Sequence, residues 1–161
     1  MNEKCFACGG SFEPVEGPAH KYMLSSSGCW KAYGELLARE YENPMLFGAV
    51  HRLTVDAYAL QHPGDPSDRR ARQSVWVHYA ALHLALQKTE DQSKIPSIMQ
   101  KLTAVTFPSL PSAPTKFEVT LEDVLAQGVS NHVSAVREWA DCALNAWAEL
   151  EDQTVAILQS L

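Results

Sequence analysis

Cys5-Phe6-Ala7-Cys8-Gly9-Gly10 is the stretch that most limits how this chain can fold. Two cysteines with two residues between them, followed by glycines, make a tight thiolate turn that can hold one side of a tetrahedral zinc ion. Such an ion needs four Cys or His donors at about 2.0–2.3 Å. Cys29 and His20 lie close by in sequence, giving the spacing C-x2-C-x11-H-x8-C. Cys29 falls in the predicted first turn of a helix, where unpaired N–H groups and the helix dipole favour a thiolate. The reading is therefore a Zn2+ site made by Cys5, Cys8, His20 and Cys29. Two variants stay open. A histidine of the helical body can replace His20, or a water can take the fourth place and make the ion catalytic. A bare redox pair is the competing reading of Cys5 and Cys8, but no βαβ pattern surrounds them. Cys142 sits beside the apolar stripe of the last helix and reads as a small core residue.

The length of 161 residues predicts one domain, and 46% apolar with 20% charged residues is ordinary for a globular chain. A formal charge of −6 disfavours nucleic acid as a partner, because phosphate-backbone binders need clustered Lys and Arg. The local run Arg69-Arg70-Ala71-Arg72 has Asp65 and Asp68 beside it and reads as a solvated helix face. No stretch approaches the roughly 18–20 apolar residues of a membrane span. No apolar signal segment precedes the CxxC, so the expected location is cytoplasmic, where thiols stay reduced and cysteines serve better as metal ligands than as disulfides.

Beyond residue 26 the chain reads as helix, and the predicted fold is all-α: a bundle of about four main helices with an N-terminal zinc-knuckle loop. Residues 1–26 form the metal-binding loop and 27–105 the helical hairpins. Residues 106–119 are a Pro-rich linker, and 120–161 the C-terminal helices. Ser27 is the expected cap of a helix running to about Tyr41, ended by Asn43-Pro44. A second helix spans about Leu46 to His62 and stops at His62-Pro63-Gly64. A third runs from about Ser67 to Lys88, apolar widely enough around its axis to suggest a central position. A short helix near Ile95–Val105 and a brief one opening at Thr120 follow. Apolar residues from Val133 to Leu161 step by three and four, predicting one continuous helix of about 30 residues whose end can pair with a second copy.

Five more histidines lie on the predicted helices: His51, His62, His78, His83 and His132. His51 and His62 share a face but sit about 16 Å apart along it, too far to hold one ion. His78 and His83 point about 140° apart. A second metal site therefore needs single ligands from several helices, for example His51 and His78 with Asp56 or His132. His51, Asp56 and His78 are the candidate catalytic residues. The plainer reading makes them a polar network, with Asp56 paired to Arg52 one turn back and His62 set against its helix dipole.

The run from His51 to Gly64, HRLTVDAYALQHPG, is distinctive. With CxxCG, Gly17-Pro18-Ala19-His20, Gly28-Cys29-Trp30 and Gln73-Ser74-Val75-Trp76-Val77-His78, it resembles a small bacterial family known only as a domain of unknown function. The resemblance implies that the cysteines, His20 and the His51–His62 run belong to one design, and it implies no activity. No P-loop, GxGxxG, G-x-S-x-G or HExxH occurs. Three functions follow from the residues: a zinc-stabilised helical protein that binds a protein or a small molecule, a metal-dependent enzyme with a histidine-lined pocket between helices, and a thiol/zinc redox sensor.

Overall fold

The computed structural model describes all 161 residues as a mostly α-helical chain: α1 (Ser27–Tyr41), α2 (Pro44–Gln61), α3 (Arg69–Leu82), α4 (Ile95–Leu102), α5 (Leu121–Ala126), α6 (His132–Ala146) and α7 (Glu151–Gln159). The helical expectation holds, and side-chain caps set the starts. Ser26, rather than the expected Ser27, accepts from Cys29 N, Asn43 accepts from Met45 N and Leu46 N, and Asp68, one residue past the expected Ser67, accepts from Arg70 N and Ala71 N. Each bond satisfies a donor that the first helical turn leaves unpaired. Pro44 at the first position of α2 lacks the N–H that would be orphaned there.

The central helix is α2 rather than α3. It packs against α1, α3 and α6, and its residues from Asp56 to Gln61 are all buried. The last turns of α2, buried all round, spend most of their polar groups internally. Gln61 Nε2 donates to Val119 O, Trp139 Nε1 donates to Gln61 Oε1, and Trp147 Nε1 donates to Leu60 O. The Pro-rich stretch wraps outside α3, where Trp76 stacks on Phe107 and donates to Pro108 O.

Three further expectations change. The N-terminal loop contains a minimal hairpin, β1 (Glu3–Lys4) antiparallel to β2 (Ser11–Phe12). After Leu82 the third helix widens into a π turn, His83–Gln87. The long last helix is broken: Trp147 ends α6, Ala148–Leu150 form a 3-10 turn, and α7 follows as a separate helix. The apolar period runs on through the break. The bend buries both Trp147 and Leu150 against the main core and brings α7 onto α3.

Candidate metal centre

Cys5, Cys8, Cys29 and His62 converge, with one ligand atom from each lying within 4.8 Å of all the others. The β1–β2 hairpin supplies the first two. Cys5 N donates to Gly10 O at 2.8 Å and Gly9 N to Cys5 O at 2.9 Å, curling the backbone around the two sulfurs. Gly9 adopts φ +81°, a conformation open to glycine at little cost. Cys29 comes from the first turn of α1. The hairpin meets that turn so closely that a Cβ on Gly28 would sit 2.3 Å from Glu13 O. His62 comes from the C-terminal end of α2.

The dimensions suit zinc. Bonds of about 2.3 Å to sulfur and 2.0 Å to nitrogen at tetrahedral angles place sulfurs about 3.8 Å apart and sulfur about 3.6 Å from nitrogen. Cys8 Sγ lies 4.0 Å from Cys29 Sγ, and Cys29 Sγ lies 3.3 Å from His62 Nε2. The surroundings orient the ligands. His62 Nδ1 donates to the carbonyl of Tyr58 at 2.7 Å, which fixes the tautomer and leaves the Nε2 lone pair facing the sulfurs. The ring is stacked on Tyr58, which in turn stacks on Tyr33, both at 3.8 Å between centroids. Backbone N–H groups of Gly10 and Ser26 point at Cys8 Sγ and Cys5 Sγ, as thiolates require.

Burial and mutual contact shape the free thiols. The Cys5 thiol is held far below its ordinary range, first by the Cys29 hydrogen bond and then by that from Cys8. For Cys8 the Cys29 hydrogen bond pulls down, but contact with Cys5 and burial outweigh it and push the thiol up to about 12. Cys29 is pushed well up by Cys5, then Cys8, then burial, so its place at a helix start does not make it the acidic thiol.

His20 lies outside this cluster. Its Nδ1 accepts from Tyr22 N at 3.0 Å, and its ring packs against Tyr22 and Trp30. The fourth member of the cluster is His62, a histidine of the helical body, in place of His20. A search within the loop misses it because the two neighbouring ligands are 33 residues apart and meet only when α2 packs on α1. The usable signal is His62-Pro63-Gly64: a histidine at a helix stop is exposed to whatever packs on that end. Cys142 stands apart from the cluster and accepts from Val119 N.

The remaining candidates split into two carboxylate pairs. Asp56 pairs with His78 rather than Arg52: His78 Nδ1 donates to Asp56 Oδ1 at 2.6 Å. His51 Nδ1 donates to Glu40 Oε1 at 2.9 Å, while Thr54 Oγ1 and His132 Nε2 both donate to Glu40 Oε2. Glu40 is fully buried and went unnoticed in the sequence. Its signal is a carboxylate one turn after Leu36 on the apolar face of α1. No group of three of these residues comes within 4.8 Å as the four metal-centre residues do.

A family model described as a family of unknown function, DUF5946, matches residues 3–148, a span holding all four converging ligands. No curated protein and no solved structure matches the chain. No helix is long and apolar enough to cross a membrane.

Proposed function

The chain belongs to DUF5946, a family of unknown function, and from that starting point we propose that it is a zinc-binding helical protein whose metal is structural and whose helical body binds a partner or a small ligand. The observation that carries the reading is the closed donor set: four protein ligands, Cys5, Cys8, Cys29 and His62, all buried. Catalytic zinc keeps a position open for water or substrate, and a Cys3His set leaves none. The same burial works against a redox sensor, because an oxidant must reach a thiolate that is 0–3% exposed. Zn2+ in this place staples the hairpin, the start of α1 and the end of α2 together, and Tyr33 and Tyr58 back it with an aromatic stack.

Elemental analysis of untagged protein tests this. The expected result is one zinc per chain, lost in Cys8→Ser, strongly weakened in His62→Ala and retained in His20→Ala. Retention in His62→Ala with loss in His20→Ala would restore the loop histidine as fourth ligand. Metal-free protein that takes up no zinc would end the proposal.

A further inference from the structure

A second site lies away from the metal centre. Between α2, α3 and the chain entering α4 is a cavity of about 440 Å³, lined by His51, Arg52, Asp56 and His78 with Phe47 and Met99 as apolar wall. Both histidines are anchored the same way. Each spends Nδ1–H on a buried carboxylate, Glu40 for His51 and Asp56 for His78. That bond fixes the tautomer and leaves Nε2 as a lone pair. Neither Nε2 has a protein partner, and the side chains remain 17% and 19% exposed. A histidine kept only for packing has no need of such an anchor.

Three further features describe what the cavity takes. Asp56 is 1% exposed, and its Oδ2 is buried without a hydrogen-bond partner. Orphaned buried oxygens are costly, and this one leaves an unmet acceptor at the edge of the cavity. Arg52 has no carboxylate partner, and its guanidinium rests on Met99 Sδ. An arginine that makes no ion pair and lines a cavity is suited to carboxylate or phosphate. The mouth is aromatic: Phe47 stacks on His51 at 4.3 Å, with Tyr41 against both. A single metal ion fits poorly, because no three donors here approach within 4.8 Å of one another.

We infer that this cavity is a binding site for a small hydroxylated organic anion, with Arg52 taking the anionic group and the carboxylate-anchored imidazoles of His51 and His78 accepting the ligand's hydroxyl protons at Nε2. The imidazole acceptors and the Arg52 cation then meet their complements, and the apolar wall covers the carbon skeleton. The site is independent of whether the Cys3His centre holds zinc.

Glycolate is the minimal probe, with acetate as its counterpart lacking the hydroxyl. Long-range 1H–15N spectra of the full chain, as purified, report every imidazole. A fragment of this size binds in the range of about 1–100 mM. Expected are Nδ1–H tautomers for both His51 and His78, and a glycolate shift at the Nε2 of at least one of them, with His62 and His83 unmoved. Acetate should bind about fivefold to tenfold more weakly, matching one lost hydrogen bond. Arg52→Gln should weaken glycolate at least about tenfold, with the thermal melt unchanged. Equal binding of acetate and glycolate, or no effect of Arg52→Gln on a folded protein, overturns the assignment. So do unmoved His51 and His78 resonances throughout the titration. If instead Zn2+ beyond the first equivalent shifts both rings, the cavity is a metal site and the anion assignment fails.

Discussion

At the scale of single residues, the chemistry of this molecule is decided by which buried polar atoms have partners. In the metal-free cluster Cys5 is held as a thiolate, while Cys8 and Cys29 are pushed above their ordinary values and keep their protons at neutral pH. Zinc needs all three as thiolates and His62 neutral, so uptake near pH 7 should release about two protons. Affinity should accordingly fall as pH is lowered. Calorimetry in buffers of different ionisation heat measures the release directly. Glu40 shows the opposite situation, a buried carboxylate with three donors from three residues. Glu40→Ala should cost about 3 kcal/mol in denaturant unfolding, because His132 and Thr54 lose a charged acceptor with no water to replace it. His83 is 1% exposed with both ring nitrogens unpartnered. His83→Phe keeps a flat ring, removes two unsatisfied atoms and should raise stability by about 1 kcal/mol.

At the scale of elements, what could be read from the chain was what is local. Asn43-Pro44 marks a helix boundary and the Thr120 to Asp123 capping box a helix start, and each makes the bonds that its residue types favour, while Asp68 caps the third helix one residue beyond the expected Ser67. The CxxCGG turn was equally legible, because its geometry is set within six residues. His62 and Glu40 were not, since each owes its role to a neighbouring helix that sequence spacing does not reveal. The break at Trp147 was hidden for another reason: its apolar period is continuous, and only burial of the indole against α2 selects a bend. That indole bond to Leu60 O is a carbonyl's partner in the last turn of the central helix. Trp147→Phe should destabilise the protein by about 2 kcal/mol, from the unpaired carbonyl and the lost volume, in thermal or urea unfolding.

At the scale of the whole molecule, one ion would tie the short N-terminal hairpin to α1 and α2, which already pack on each other. The hairpin strands are two residues each, too short to stand alone. If zinc is held at about 1,000 times its dissociation constant, linkage is worth about 4 kcal/mol. For a chain of this size, chelation should then lower the melting temperature by roughly 8–16 °C. Differential scanning calorimetry with and without chelator checks this, and an unchanged melt would mean that the centre carries no stability. The order of the ligands along the chain also has a consequence for synthesis. Three thiols leave the ribosome well before the histidine, and the 33 residues from Cys29 to His62 take about 2–7 s to add at usual elongation rates. During that interval a nascent chain can offer only a tri-thiolate, with solvent in the last place, from which a metallochaperone or a competing thiol can still withdraw the ion. Arrival of the helix that ends in His62 would close the shell, so the last of the four donors to be made would be the one that commits the chain to the metal.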